Sequence, residues 1–124
     1  MNIQHLTDSG TFPPVFDRDH VIENFGGDEA LLKQIAALFI ADWPQCEDRL
    51  RSALAAGEAE PLRGAAHAIK GAVGNFAAER AVQAAKQLEM SCKAGDVSQA
   101  PLQVEDVLRA VGELMAALRA EVGA

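Results

Sequence analysis

The chain is poor in aromatic residues, in cysteine and in basic side chains, and these shortages restrict what it can be. Aromatic residues make up 5% of the 124 residues, and tyrosine is absent. The two cysteines, Cys46 and Cys92, lie far apart with no CxxC pair and no metal-ligand spacing, so we expect two small buried thiols. Lysine and arginine total 11 against 18 acidic residues, and the net charge of -7 argues against a nucleic-acid partner.

Signals for membranes, secretion and nucleotide chemistry are missing as well. No apolar run approaches the roughly 18 residues of a membrane span. Residues 1–14 lack the basic and then apolar layout of a signal peptide, so we expect a cytoplasmic protein without direct membrane contact. The sequence has no glycine-rich phosphate loop, no DxD or HExxH cluster and no room for a second, nucleotide-sized domain, which argues against an ATP-using kinase and a metal hydrolase.

The residues that are abundant favour helices. The chain is rich in alanine and leucine, and its hydrophobic share of 49% is enough for one domain with one core. No strand pattern is visible, because the β-branched residues never alternate with polar ones over a run. Apolar residues spaced three and four apart predict one short helix over 17–25 and four long helices over 28–57, 59–76, 78–94 and from 98–101 onward.

Capping residues and prolines refine these bounds. Asp17 and Asp28 are predicted N-caps, and Gly95 a left-handed C-cap. Pro44 removes a backbone donor inside the second predicted helix, which should kink the helix or split it after Asp42, and we expect a kink. Residues 1–14 are polar and end in two prolines, which predicts a flexible tail or linker remnant ahead of a domain over 15–124. Four long helices with short connections predict an all-α, antiparallel up-down-up-down four-helix bundle with a short extra N-terminal helix.

The segment 66–74, Ala-His-Ala-Ile-Lys-Gly-Ala-Val-Gly, is the most informative part of the chain. At about 100° per residue, the apolar side chains of this helix form one stripe toward the core, and His67 projects away from it into water. Arg63 and Lys70 lie on the same flank as His67. Three glycines lie beside it: Gly64, Gly71 and Gly74.

These glycines need a reason, because glycine costs about 1 kcal/mol relative to alanine inside a helix. Their lack of side chains lets another protein bring a reactive group against the imidazole ring. Lys70, three residues after His67, can neutralise an incoming phosphoryl group. The pattern therefore indicates a phosphoryl-acceptor site, although a single histidine on an alanine-rich helix is more often an ordinary solvated residue.

The wider sequence resembles the histidine-containing phosphotransfer (HPt) domains of multistep two-component signalling. His67-x-x-Lys70-Gly71, followed by Asn75-Phe76 and a second amphipathic helix, carries the resemblance. The similarity also covers Phe16-Asp17-Arg18, residues 25–32, Leu38-Phe39, the stretch from Leu50 to Gly57, and the last helix.

The resemblance implies a function and a set of partners. His67 would accept a phosphoryl group from an aspartyl-phosphate in one receiver domain and pass it to an aspartate in another. The expected partners are response-regulator receiver domains and a hybrid sensor histidine kinase. The chain would have no kinase activity and no cofactor of its own, because the Mg²⁺ and the acidic pocket belong to the receiver. We expect a monomer, since a dimer that covered His67 would block transfer.

Two departures from the family pattern bear on this site. Glu89 stands where some members carry a glutamine that hydrogen-bonds the histidine. A carboxylate there could hold Nδ1–H and fix the tautomer, but it would repel a phosphoryl group that came too close. Ala77 stands where many members have glycine between the two helices. Lys86 shares the flank of Glu89 and is a further supporting candidate.

One alternative function remains open at this point. A helical-bundle adaptor or protein-interaction module without phosphate chemistry would also fit an all-α domain of this length. It predicts an apolar patch beyond the core. The phosphotransfer interpretation instead predicts docking around the histidine, through Ala68, Ala72, Gly71, Gly74 and exposed parts of the preceding helix. His5 and His20 form no pair at a recognisable spacing and are expected to be bystanders.

Overall fold

The computed structural model describes residues 15–123, and these residues form five helices and no strand. The predicted tail over 1–14 lies outside the described residues. A short helix, α1, is followed by four long ones. Their bounds are α1 Arg18–Asn24, α2 Glu29–Ala56, α3 Ala59–Gly74, α4 Glu79–Lys93 and α5 Ala100–Val122.

Local signals in the sequence set most of these ends. A side-chain oxygen of Asp17 accepts a hydrogen bond from the backbone N–H of His20 at 3.1 Å, which caps α1. Asp28 caps α2 in the same way, through the N–H of Leu31 at 3.0 Å. A cap of this kind contributes about 1 kcal/mol. Gly95, with φ of +76°, follows α4 in the left-handed conformation. The two N-cap predictions and the glycine stop after α4 are therefore confirmed.

The four long helices form a ring in which each packs against its neighbours in sequence. Helix α3 packs against α2 and α4, and α5 packs against α4 and closes the ring on α2. Helices α4 and α5 run antiparallel, since Ser91 near the end of α4 bonds Gln103 near the start of α5, whereas Arg80 early in α4 pairs with Glu113 farther along α5. This confirms the predicted four-helix bundle with a short extra helix. None of the helices within residues 15–123 has both the length and the hydrophobicity to span a bilayer.

The core runs along the centre of the bundle and takes large side chains from every helix. Its aromatic members lie together: the ring of Phe39 is stacked 6.0 Å from Trp43 and meets the edge of Phe76 at 5.5 Å. Cys92 is buried, as expected, but Cys46 is only half-buried. The prediction that Cys46 is buried was wrong, because α2 and α3 leave an open groove beside this residue. The most completely buried large side chains include Leu32, Leu50, Leu62, Ile69, Leu88, Leu114 and Leu118.

Helix α2 continues through Pro44 as one element of 28 residues. A split at this point is therefore wrong, while a kink there stays a prediction. Pro44 is exposed, whereas Trp43 and Leu50 are buried. Burial of these two side chains in one core holds the helix together across the missing backbone donor.

The turn between α3 and α4 differs from the prediction. Helix α3 ends at Gly74, two residues earlier than its apolar stripe suggested. Ala77 has φ of +51° and is the single non-glycine residue with positive φ among residues 15–123. This conformation costs an L-residue roughly 1–2 kcal/mol. The buried side chains of Phe76 and Ala78 on either side hold Ala77 in place.

Candidate functional site

His67 lies near the middle of α3 with its side chain 63% exposed. The residues that surround it in the helix explain this position. Ala66 and Ile69 are buried in the core, so the helical rotation between them turns the imidazole outward. The predicted exposure of His67 is confirmed.

A buried carboxylate from the neighbouring helix holds the ring. Glu89 on α4 is the one buried charged residue among those described, with its side chain only 5% exposed. One of its oxygens lies 2.6 Å from Nδ1 of His67, and the other lies 2.6 Å from Nζ of Lys70. The contact between Glu89 and Nδ1 of His67 is the one considered in the sequence analysis, and the structure adds Lys70 to the other oxygen of the same carboxylate.

This arrangement sets the charge of Glu89. The hydrogen bond from Lys70 lowers the pKa of the carboxyl group below its usual 4.5, and the bond with His67 acts in the same direction, whereas burial opposes both. Glu89 is therefore ionised at neutral pH and has no proton to donate.

The ionised carboxylate fixes the tautomer of the imidazole. An ionised carboxylate only accepts hydrogen bonds, so in the neutral ring the proton of His67 lies on Nδ1 and points to Glu89. The lone pair is then on Nε2. In this tautomer Nε2 is the nitrogen available as a nucleophile.

Lys70 lies one helical turn after His67 and is partly exposed, at 32%. Its ammonium group has three donors, and the contact with Glu89 uses one of them. The remaining donors can bind an anion that arrives at the ring. Since Glu89 binds both side chains, it places a cation and a potential nucleophile next to each other.

The three glycines near His67 have no packing role inside the protein. A Cβ atom added at Gly64, Gly71 or Gly74 would find no other atom within 4 Å. All three are exposed, so α3 presents bare backbone beside the imidazole. This surface leaves room for a partner to approach the ring.

The other basic candidates are placed differently. Arg63 binds Glu60 on its own helix through two nitrogens, at 2.6–3.1 Å, and makes no direct bond to His67. Lys86 is exposed and has no ion pair within residues 15–123. His20 is exposed on α1, and His5 lies outside the described residues. No group of three or more histidine, cysteine or acidic residues in the described part of the chain is placed to hold a metal ion.

An apolar groove of about 280 Å³ lies between α2 and α3, and the sequence analysis did not identify the residues that line it on α2. Leu38 on its α2 side is 64% exposed, which is unusual for a large aliphatic side chain. The sequence signal that could have indicated this groove is the position of Leu38, three residues after Ile35 and at the edge of the apolar stripe of α2. The groove is lined by Ile35, Leu38, Phe39, Asp42, Cys46, Ala72, Asn75 and Phe76.

The fold and the site together define a helical bundle that presents a histidine held by a buried carboxylate. Residues 34–121 match the family model of the Hpt domain. The chain therefore belongs to the Hpt domain family, whose members are phosphocarrier proteins of two-component signalling.

A solved structure agrees with this assignment. The fold is similar to the crystal structure of histidine-containing phosphotransfer protein B (HptB) from Pseudomonas aeruginosa PAO1, with a TM-score of 0.82. The two chains are 26% identical, and the similarity covers 90% of this chain and 97% of that one. No curated protein matches the chain at the level of sequence.

Proposed function

We propose that His67 is the phosphoryl acceptor of a relay protein, which takes the group from an aspartate of one receiver domain and passes it to an aspartate of another. The observation that carries this proposal is the contact of 2.6 Å between Nδ1 of His67 and the buried Glu89 carboxylate. It commits one ring nitrogen to the protein and leaves Nε2 for chemistry on an exposed face.

The transfer step uses the lone pair on Nε2. It attacks the phosphorus, the N–P bond forms, and the P–O bond to the partner's aspartate breaks so that the oxygen leaves as a carboxylate. The proton on Nδ1 stays where it is, and the phosphorylated ring therefore carries a positive charge next to Glu89. Attack by an aspartate of the second receiver reverses these changes. Such a transfer depends mostly on positioning and charge stabilisation.

Lys70 stabilises the charge that arrives with the phosphoryl group. Its ammonium group lies beside the ring because Glu89 holds both. Oxygens of the transferring group take up the free donors of Lys70, which offsets their repulsion from the Glu89 carboxylate. The carboxylate itself is on the Nδ1 side of the ring, away from Nε2.

The partners are those that membership of the Hpt family implies. They are response-regulator receiver domains and a hybrid sensor histidine kinase, met in the cytoplasm by a monomer of this chain. The chain has no kinase activity and no cofactor of its own, and the Mg²⁺ for the reaction comes with the receiver. Docking uses the bare backbone at Gly71 and Gly74, together with Ala68 and the groove that includes Ala72.

The groove also favours a second candidate function. An adaptor without phosphate chemistry needs an apolar patch beyond the core, and the exposed Leu38 in the α2–α3 groove is such a patch. The adaptor, however, gives no role to a buried carboxylate that binds an exposed histidine and a lysine. Phosphotransfer explains both features.

Incubation with phosphorylated receiver domains tests the proposal. We expect the wild type to acquire label that is acid-labile and alkali-stable, and His67→Gln to acquire none. His20→Gln is the matched control, because His20 is also an exposed helical histidine, and it should be labelled as the wild type is. A folded wild type that stays unlabelled with a panel of receivers would favour the adaptor.

A further inference from the structure

Four basic residues lie on the two helices that meet at Glu89, and we call them the cationic flank: Arg63 and Lys70 on α3, and Lys86 and Lys93 on α4. The carboxylates placed among them are Glu60 and Glu89. The rest of the chain has seven basic residues against 16 acidic ones. The surface beside His67 is therefore positive on a protein that is otherwise strongly negative.

Within this flank, Lys86 and Lys93 have no structural task. Arg63 binds Glu60, and Lys70 binds Glu89, but both α4 lysines are exposed and have no ion pair with any residue that the structure describes. They lie three residues before and four residues after Glu89, on the same face of α4. Their Cβ atoms are thus about 5–6 Å from that of Glu89. Two positive charges without an ion pair among the described residues therefore lie within about one helical turn of Glu89, the residue that binds the imidazole.

The opposite side of His67 has a different character. There α3 meets α2, and the surface is the apolar groove with the exposed Leu38. A partner that covers the imidazole thus contacts positive charge toward α4 and apolar surface toward α2. Because the two sides differ, a partner with one acidic side and one apolar side binds with its acidic side toward α4, and the opposite orientation is disfavoured.

We propose that Lys86 and Lys93 form a docking surface for an acidic rim on the protein that exchanges the phosphoryl group with His67, and that they steer and orient this partner. The inference rests on the proposed function. Charge of this kind acts mainly on the association rate, since it biases the diffusional encounter before contacts form. The negative charge of the remaining surface opposes an extended polyanion such as a nucleic acid, which leaves a compact acidic protein surface as the occupant.

A double variant, Lys86→Glu with Lys93→Glu, tests the inference. The measurement is the second-order rate of transfer from the phosphorylated receiver domain that labels the wild type fastest, with both proteins at limiting concentration. At about 0.1 M salt, where charges interact over about 10 Å, we expect the rate to fall about tenfold. At about 1 M salt the interaction range shrinks to about 3 Å, and the difference from wild type should disappear.

The control is Arg109→Glu with Arg119→Glu, which changes the net charge by the same amount. Both residues are exposed on α5, which is diagonal to α3 in the ring of helices. This variant should transfer at close to the wild-type rate at both salt concentrations. Thermal unfolding checks that both double variants are folded, and Lys86→Arg with Lys93→Arg should keep the wild-type rate.

Three results would overturn the inference, and the last of them is distinct from the other two. Equal losses in the α4 and α5 variants, or no loss in the α4 variant, would show that the lysines are not a docking surface, while labelling of the wild type still supports the proposed function. A wild type that is unlabelled at both salt concentrations would remove the proposed function and this inference with it.

Discussion

Gly71→Ala is expected to change stability and function in opposite directions. Gly71 is exposed one turn after His67 in α3, and a Cβ atom there meets nothing within 4 Å. Alanine avoids the backbone entropy cost of glycine in a helix, so the variant should gain about 1 kcal/mol in unfolding free energy. For a domain of this size that gain raises the melting temperature by about 4 °C.

The same methyl group should impair phosphotransfer. Residues four apart on a helix have Cβ atoms about 5–6 Å apart, so the new group lies where a partner's aspartyl-phosphate must pass to reach His67. A displacement of about 1 Å at a reacting centre costs about a hundredfold in rate, and we expect the transfer rate to fall at least about tenfold. Circular dichroism on heating gives the stability, and labelling from a phosphorylated receiver gives the rate.

Gly112→Ala is the matched control for this experiment. Gly112 is also an exposed glycine inside a helix, with open space at its Cβ position, but it lies on α5. It should gain the same stability without any loss of transfer. If Gly71→Ala is stabilised and still transfers at the wild-type rate, access does not explain the glycines. If it is destabilised, the open space described above is wrong.

Three further outcomes are expected. Ala77→Gly should raise the unfolding free energy by about 1 kcal/mol in denaturant titrations, because glycine adopts the positive φ of this turn without strain; a loss of stability would contradict this. Glu89→Gln should keep the proton of His67 on Nδ1, since the amide oxygen still accepts a hydrogen bond from this nitrogen. The NH₂ group of the glutamine cannot accept a hydrogen bond from Lys70, so that contact is lost. Nitrogen NMR that shows a changed tautomer would refute the geometry. The pKa of Glu89 is lowered below 4.5 in the folded protein, so its carboxylate contributes stability that is present above pH 4.5 and is lost as pH falls through the lower folded-state pKa. Thermal unfolding of Glu89→Gln should therefore be less acid-sensitive than that of the wild type as pH falls below 4.5.

The parts of this molecule that could be predicted from sequence depend on local interactions. Helical periodicity located the long helices and turned His67 outward, and the caps at Asp17 and Asp28 use atoms within three residues. The ion pair of Arg63 is local as well. Glu60 lies one turn before it, and this neighbour binds the guanidinium more closely than the site does.

The contacts between helices could not be derived in this way. Periodicity places Glu89 on a flank of α4, but the partner that it meets depends on how far α4 slides along α3. A shift of one turn, about 5.4 Å, would bring a different residue opposite His67. The predicted burial of Cys46 was wrong for a related reason. Its position on the apolar stripe of α2 was correct, but the groove between α2 and α3 is open at this residue. Both facts belong to tertiary packing.

The Glu89 carboxylate gives the site its charge balance. In the structure its negative charge is paired with the ammonium group of Lys70, so the exposed histidine faces a compensated charge. In the proposed transfer, the phosphorylated ring is positive beside Glu89, while the free donors of Lys70 bind the phosphoryl oxygens. An amide in place of Glu89 fixes the tautomer as well, but it stabilises neither Lys70 nor the positive ring. Under the proposed function, the carboxylate therefore stabilises the phosphorylated ring, which is the state that lies between the two transfers of a relay.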